Sequence, residues 1–481
     1  MTGIIIGASV GGVLLAFIAV VLIRALLFKP LKVEKREAEA VAVDEAQAAE
    51  NLAAMVRCRT VSSRDKSLES EEEFEKFKAL LPKLFPTVYS VCILEYVKDR
   101  AILLRWRGRT DKDPTVLMAH YDVVSVEEDK WEKPAFDGII EDGVIWGRGT
   151  IDTKGSLCGA LTAAQTLAKE GFQPEADVYF AFAGDEEING HGASDIVELF
   201  VKRGISPALV LDEGGAVITN IFPGVKQPCA VIGIAEKGML NVEYSISSDG
   251  GHSSAPKPHT PVGRLAAACV RLENHPFKFR ITDPTYQMFN TLGRHSTFFY
   301  RLVFSNLWCF APVLNFLGKK NGGQINAIAR TTLAFTKMQG SQGINVIPPS
   351  ATMASNSRIL PGETVESAVN YIKKTVADAD IEVSVINGND PSAVSRTDVE
   401  GWHRLVGAVN ATWQEALVSP YLMTACSDAR HWSKISDRVY RFSAMSLSNE
   451  ENAMIHGNNE RIPTSTVAKT VEFYIRLIKS S

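Results

Sequence analysis

The chain has 481 residues, of which 46% are hydrophobic and 22% are charged, an ordinary globular balance with room for two domains. Its formal net charge of −4 argues against a nucleic-acid-binding protein, which usually carries a clear basic excess. The seven cysteines are scattered without a C-x-x-C pair, so they indicate buried thiols rather than a disulfide framework or a zinc ribbon.

The first thirty residues differ in composition from the rest of the chain. Residues 4–23 are uncharged and almost wholly apolar, and as a helix they would extend ~30 Å, the thickness of a bilayer's hydrocarbon core. A cleaved signal peptide has a basic start and a shorter apolar core, and neither is present. We therefore predict a retained single-pass anchor, with the membrane as a partner, over residues 1–30. The basic residues after it, Arg24, Lys29, Lys32, Lys35 and Arg36, favour a cytoplasmic C-terminal side, but one short segment leaves the side open.

Apolar strands alternate with helical segments from residue 31 to 235, which predicts a mostly parallel sheet covered on both faces. Three of these strands, at 116–119, 178–183 and 208–211, are followed directly by acids or histidines. Ligands bind at the carboxyl edge of such sheets, so we expect these side chains to lie together. They are His120 and Asp122, then Glu186 and Glu187, then Asp212 and Glu213.

From residue 236 to 395 the pattern changes to strands of alternating polarity with two helical segments, at 261–273 and 365–376. This predicts an α+β domain inserted into the first, after which residues 396–481 complete the catalytic domain. An unusually aromatic segment at 298–316 interrupts the insertion. It predicts either ordinary packing in a lid or interface, or an apolar wall facing an acyl chain or a membrane surface.

The histidines and acids at the strand ends are candidate metal ligands. His120 and Asp122 are two residues apart on an extended segment, so one can bind a metal while the other orients it. Three ligating carboxylates and a bound hydroxide are neutralised by two divalent ions better than by one. Zinc suits these donors, with cobalt or manganese as substitutes. The remaining candidate ligands are Asp152, Glu187, Glu213 and His456, with Asp152 able to bridge, and Glu186 is left as general base.

Seven motifs then carry a family resemblance, in family order over most of the chain. They are A-H-Y-D-V-V (119–124), G-R-G-T-I-D-T-K (147–154), G-D-E-E-I-N-G (184–190), L-D-E-G-G (211–215), G-G-H-S-S-A-P (250–256), N-V-I-P-P (345–349) and I-H-G-N-N-E-R-I (455–462). The chain resembles the dinuclear-zinc family of aminoacylase, carboxypeptidase S and succinyl-diaminopimelate desuccinylase. It is most similar to the branch of N-fatty-acyl-amino-acid synthase/hydrolase and carboxypeptidase S.

The resemblance implies a role for each matching residue. One zinc would bind His120, Asp152 and Glu213, and the other Asp152, Glu187 and His456; Asp212 stays an alternative to Glu213. Asp122 would orient a ligand, Glu186 would be the base, and His252 would stabilise the oxyanion, often from the partner subunit of a homodimer formed through the inserted domain. The implied substrate contacts are Asn345, Arg358 and Arg430.

These roles predict a zinc-dependent amidohydrolase that cleaves, and in reverse forms, the amide of an N-acyl amino acid. The aromatic segment makes a long acyl chain plausible. A carboxypeptidase or dipeptidase acting on small peptides is the alternative within the class. A catalytically dead, membrane-tethered binding protein is the alternative outside it, and the intact ligands and Glu186 argue against it.

Overall fold

The computed structural model describes residues 2–30 and 39–481, and an eight-stranded sheet lies at its centre. In spatial order the strands are β1 (Cys92–Val97), β2 (Ala101–Trp106), β6 (Ala176–Ala183), β3 (Thr110–His120), β7 (Leu209–Ile218), β16 (Val439–Leu447), β8 (Cys229–Glu236) and β15 (Leu417–Met423).

The central sheet is mixed. Strands β6, β3, β7 and β16 run parallel to one another, and β8 is parallel to β15. Strands β1 and β2 form a tight hairpin and β2 is antiparallel to β6, while β8 is antiparallel to β7 and β16. The parallel block is therefore the middle of the sheet, and its carboxyl edge is where the candidate ligands were expected.

Helices cover both faces of this sheet because alternate strand residues point to opposite sides. All eight residues of β6 are buried, with Phe180 and Phe182 in the core on one face and Tyr179 and Ala181 in the core on the other. The first face carries α2 (Glu45–Val56), α3 (Glu71–Leu84), α4 (Pro86–Val91), α5 (Lys154–Lys169), α13 (Glu400–Thr412) and α16 (Thr464–Lys479). The second carries α6 (Gly192–Arg203) and α14 (Ala429–Trp432).

A second, four-stranded sheet is formed by the inserted segment and is antiparallel throughout. Its strands in spatial order are β11 (Thr332–Gln339), β13 (Ser350–Ile359), β9 (Gly238–Ser247) and β14 (Glu382–Asn389). Helices α7 (Pro261–Asn274) and α12 (Val365–Val376) bury their apolar residues against it in a core of its own. The structure thus confirms the predicted fold class, an α/β unit with an α+β insertion; the domain boundaries at 235/236 and 395/396 stay predictions.

Two small ladders and a short helix complete the regular structure near the site. Strands β4 (Ile139–Glu141), β5 (Val144–Trp146) and β17 (Arg461–Pro463) form one ladder, and β10 (Gly251–His252) pairs with β12 (Val346–Ile347) in the other. Helix α15 (Asn449–Ala453) precedes His456.

The aromatic segment does not form part of the inserted sheet's core. It lies within a run of helices: α8 (Asp283–Gly293), α9 (Phe298–Phe304), α10 (Leu307–Asn321) and α11 (Gly323–Ala329). Phe289 and Phe304 from this run pack against Phe222 and Val231 at the β8–β15 edge of the central sheet. The segment therefore belongs structurally to the catalytic unit rather than to the lid.

The N-terminal segment forms α1 (Thr2–Leu27), and within it residues Ser9–Leu27 are long and apolar enough to cross a membrane. Lys32, Lys35, Arg36 and the start of the predicted catalytic domain at residue 31 lie outside the described residues. The chain is not helical over 39–44; α2 begins at Glu45, where the Asp44 carboxylate caps the helix by accepting a hydrogen bond from the Gln47 N–H.

Candidate metal centre and active site

Strand β3 ends at His120, and the residues that follow fix this imidazole in place. His120 is buried, and its Nδ1 lies 2.9 Å from the Asp122 carbonyl oxygen and 3.4 Å from an Asp122 carboxylate oxygen. The Asp122 carboxylate also accepts hydrogen bonds from the Ser62 hydroxyl (2.6 Å) and from the N–H groups of Glu186 and Glu187 (3.1 Å each). Asp122 thus orients the histidine and the acidic turn together, leaving His120 Nε2 free to face the site.

The sequence pattern predicted that β7 ends at residue 211. In the structure β7 continues to Ile218, and Glu213, within it, reaches the same point. The pairing of β7 with β3 stops at Leu211, and its pairing with β16 changes register between Asp212 and Gly215. Beyond this irregularity β7 turns to pair with β8. The Glu213 carboxylate lies 3.6 Å from His120 Nε2, while Asp212 accepts a hydrogen bond from the Ala429 N–H at 2.8 Å. Of the two adjacent acids, Glu213 is the one beside His120.

Asp152 lies between two groups of candidate ligands. Its Oδ1 is 2.9 Å from His120 Nε2, and its Oδ2 is 3.0 Å from His456 Nε2. His456 Nε2 is also 3.1 Å from a Glu187 carboxylate oxygen. The structure therefore brings together two clusters that share one residue, His120–Asp152–Glu213 and Asp152–Glu187–His456.

A buried acid that sequence reasoning missed holds the loop carrying Asp152. The Glu460 carboxylate pairs with Arg148 at 2.7 Å and accepts hydrogen bonds from the N–H groups of Gly149, Ile151 and Asp152. Glu460 is fully buried and lies four residues after His456, so one segment supplies both a candidate ligand and the support of another. Its place inside the motif at 455–462 was the available signal.

We expect Glu460→Gln to destabilise the protein by roughly 3–5 kcal/mol, because it leaves the buried Arg148 guanidinium without a counter-charge. The free energy of unfolding in denaturant measures this. Glu450→Gln is the matched control: its carboxylate pairs with Arg461 but is 73% exposed, so its loss should cost about 1 kcal/mol or less. Equal effects of the two variants would contradict the proposed role of Glu460.

Glu186 lies beside these clusters without joining either. Burial, and next the Asp428 carboxylate, raises the pKa of Glu186 well above its ordinary value. Asp428 itself was not singled out from the sequence; burial raises its pKa to about 7 against the opposing charge of Arg430. A carboxyl with a raised pKa in such a setting is suited to accept and return a proton near neutral pH.

The electrostatics of the two clusters fit divalent cations. Burial, followed by the Asp152 carboxylate, raises the pKa of Glu213 to about 8. Hydrogen bonds to Asp152 and Glu187 raise the pKa of His456 to about 10. The acids and imidazoles are therefore close enough to share protons, and a divalent cation would displace those protons on binding. The nitrogen and oxygen donors suit zinc, cobalt or manganese.

Two of the three predicted substrate contacts meet at one loop, residues 426–430. The Arg430 guanidinium donates to the Ser427 carbonyl at 2.7 Å and lies 3.6 Å from an Asp428 oxygen. Burial by itself lowers the pKa of Arg430, but the carboxylates of Asp428 and Glu186 outweigh it and hold that pKa raised. Arg358, from β13 of the inserted unit, donates to the Cys426 sulfur at 3.4 Å. Arg430 therefore belongs to this loop and is near enough to Glu186 to feel its charge, while Arg358 contacts the loop at Cys426.

The third predicted contact and the predicted oxyanion residue are not brought to the clusters. His252 is exposed in the β10–β12 ladder, where its Nδ1 lies 2.8 Å from the Ser254 hydroxyl. Asn345 is exposed beside it and accepts a hydrogen bond from the Ser253 N–H. Within residues 2–30 and 39–481, no hydrogen bond or ion pair joins either residue to the metal clusters.

Near Arg358 a buried lysine carries the clearest pH dependence outside the clusters. Lys237 donates to the carbonyls of Ala327 and Arg330, and burial, then the Arg358 charge, lowers its pKa to about 7. Between about pH 7 and the ordinary lysine pKa of about 10, the unfolded chain therefore holds a proton that the folded chain lacks. The contribution of Lys237 to the free energy of unfolding therefore rises with pH between about pH 7 and pH 10.

Lys237→Met should remove this contribution, so that the free energy of unfolding rises less from pH 7 to pH 9 than in the wild type, by roughly 2–3 kcal/mol. Denaturant unfolding at the two pH values measures the difference. Lys226→Met, at an exposed lysine, is the control and should keep the wild-type slope. An unchanged slope in Lys237→Met would mean that Lys237 is charged in the folded protein throughout this range.

The parallel block of the sheet and the two clusters at its carboxyl edge define a class, the α/β metallohydrolases. Residues 116–480 match the model of Peptidase family M20/M25/M40. The chain belongs to this family, whose members hydrolyse amide and peptide bonds.

Relatives and solved structures agree with this assignment. The chain is 36% identical over 443 residues to the N-fatty-acyl-amino acid synthase/hydrolase PM20D1 of Xenopus tropicalis, covering 90% of this chain and 86% of that one. It is 34% identical over 442 residues to the probable carboxypeptidase S-like 2 of Dictyostelium discoideum, covering 90% and 85%. The fold is similar to the metallo-carboxypeptidase Sso-CP2 of Sulfolobus solfataricus, with a TM-score of 0.68, 17% identity and coverage of 91% and 99%. Human carnosine dipeptidase 1 gives a TM-score of 0.62, 14% identity and coverage of 91% and 96%.

Proposed function

We propose that the protein is a dinuclear zinc amidohydrolase that cleaves, and in reverse forms, the amide bond of N-acyl amino acids. The observation that carries this proposal is the shared carboxylate of Asp152, whose two oxygens face two separate ligand sets. Two zinc ions would be held by His120, Asp152 and Glu213 and by Asp152, Glu187 and His456. When bound, such a pair polarises the amide carbonyl and lowers the pKa of the attacking water.

The protein's own residues then supply positioning and proton transfer. The Glu186 carboxylate takes a proton from the attacking water and delivers it to the nitrogen that leaves as the amine. Asp122 keeps the His120 ring and the Glu186–Glu187 turn in fixed orientation. Arg430 lies near Glu186 and is suited to bind the free carboxylate of the substrate's amino acid. Arg358 contacts the same loop at Cys426.

His252 and Asn345 take part, in this proposal, only in an assembly of two chains. Both are exposed and lie next to each other at one end of the inserted unit. A homodimer formed through that unit would carry His252 into the partner's site, where it could stabilise the developing oxyanion.

The membrane forms the second part of the proposal. Residues Ser9–Leu27 form a helix long and apolar enough to span a bilayer, and only 11% of it is buried against the rest of the protein. This apolar stretch is also longer than the core of a cleaved signal peptide, so we infer that α1 is a retained anchor.

A carboxypeptidase acting on small peptides is the competing function, favoured by the names of the Dictyostelium discoideum relative and of the Sulfolobus solfataricus enzyme. Hydrolysis of N-oleoyl-phenylalanine, N-acetyl-phenylalanine and a dipeptide with a blocked N-terminus, each compared by kcat/KM, separates the two. We expect N-oleoyl-phenylalanine to be the best of the three. A clear preference for the blocked dipeptide would replace the proposed function by the carboxypeptidase.

A further inference from the structure

The surface least like that of a globular enzyme is an aromatic hairpin, defined here as residues 298–321, which comprise α9, a short turn and α10. The two helices meet at 105°. Several of its large apolar side chains are exposed: Phe299 is 82% exposed, Phe316 64% and Trp308 59%. An apolar group of this size, turned outward on adjoining helices, marks a binding surface.

The hairpin is attached to the C-terminal half of α1 by specific contacts. The Phe17 and Trp308 rings pack edge to face with centroids 5.7 Å apart. Arg24 donates two hydrogen bonds, of 3.1 and 3.0 Å, to the Ser305 carbonyl, and the Asn306 side-chain amide donates to the Val21 carbonyl at 3.0 Å. The turn of the hairpin therefore has a fixed position along α1.

That position sets how deep the hairpin lies if α1 crosses a bilayer. At a rise of ~1.5 Å per residue, Phe17 is ~15 Å from Leu27 at the end of the apolar helix, about half the thickness of a hydrocarbon core. Trp308, in contact with Phe17, would lie at similar depth. A hairpin held there cannot be in water while α1 is in lipid.

Several polar groups at the turn are paired, which lowers the cost of placing the turn in lipid. The Ser305 N–H donates to the Arg301 carbonyl and the Asn306 N–H to the Val303 carbonyl. The Arg24 guanidinium donates to the Ser305 carbonyl. Unpaired backbone groups are not tolerated in a hydrocarbon core, and a charge near its edge is accepted when it is bonded. Lys319 and Lys320 lie in the last turn of α10, where long basic side chains can reach a membrane surface.

We propose that the aromatic hairpin is inserted in the leaflet on the catalytic side of the membrane, with lipid acyl chains as its partner. This inference rests on the proposed anchor and goes beyond it. Because Phe304 packs with Phe222 and Phe289 of the catalytic unit, the hairpin and α1 together hold the enzyme against the bilayer in one orientation. The enzyme is then held in contact with the membrane through both the hairpin and α1, rather than attached through α1 alone.

The test uses the full chain reconstituted in phosphatidylcholine vesicles, with and without lipids brominated near the middle of the acyl chains. Flotation and extraction at alkaline pH measure anchoring, and quenching of tryptophan fluorescence by bromine measures insertion. Trp308 is one of seven tryptophans, so its part is the quenching lost in Trp308→Phe. Trp146→Phe is the matched control, since Trp146 lies in β5 beside Lys133 and Arg461 and should contribute none.

We expect an anchored protein whose bromine quenching disappears in Trp308→Phe and persists in Trp146→Phe. Phe299→Glu, at the most exposed hairpin residue named above, should reduce the quenching without releasing the protein, whereas Phe299→Leu should keep it. Anchoring without Trp308 quenching would overturn the hairpin proposal and leave the anchor standing, and cross-linked dimers would then identify a second chain as the occupant. Release at alkaline pH would overturn both.

Discussion

Glu186→Gln is expected to lower kcat at least ~100-fold while both metal ions stay bound, the scale of a lost general base. The carboxylate lies at the clusters but belongs to neither, and its raised pKa suits it to accept a proton and pass it on. An amide of nearly the same size keeps the packing of the turn, whose N–H groups remain bonded to Asp122. The measurements are steady-state hydrolysis of N-oleoyl-phenylalanine and metal content by mass spectrometry.

The companion variant is Glu198→Gln, a change of the same kind at an exposed position on α6 that pairs with Lys202. It should keep the wild-type kcat. If Glu186→Gln kept it as well, Glu186 would have no part in proton transfer. If Glu186→Gln instead lost metal, the residue would be a ligand rather than a base.

Asp152→Ala is expected to lose both metal ions and, with them, activity, because Asp152 alone belongs to both clusters among the described residues. Removal of a residue that touches one cluster should have a smaller effect. His456→Ala should release one ion and keep the other at His120 and Glu213. The ratio of metal to protein after dialysis against metal-free buffer distinguishes these results.

His191→Ala provides the control, because this neighbouring histidine lies at the start of α6 outside both clusters. It should retain the wild-type metal content. Equal loss from Asp152→Ala and His456→Ala would show that the two ions bind only as a pair. Retention of one ion by Asp152→Ala would contradict the bridging arrangement.

Local sequence patterns were sufficient to predict most helices and strands and the edge of the sheet at which the site forms. The apolar run before Asp185 predicted β6 because a strand buried on both faces needs apolar residues at every position. The adjacent acids predicted a cation because like charges at one edge must be balanced. Helix α12 matches its predicted range, since Thr364 caps its start.

The features that depend on distant partners could not be predicted from local patterns. Glu213 lies within β7 rather than after it, because the neighbouring pairings with β3 and β16 stop or shift there. The support given by Glu460 requires knowing that it packs against the loop at 147–152. The aromatic hairpin could have covered the inserted sheet by composition alone; contacts with α1 and Phe222 placed it elsewhere.

The separation of the ligands along the chain has a consequence for biosynthesis. His120, Asp152 and Glu213 all precede the inserted unit along the chain, whereas His456 follows it. During cotranslational folding the first cluster can therefore form before the inserted unit is made, while the second requires the chain to return to the central sheet. An intermediate that lacks the inserted unit would then contain the first cluster without the second.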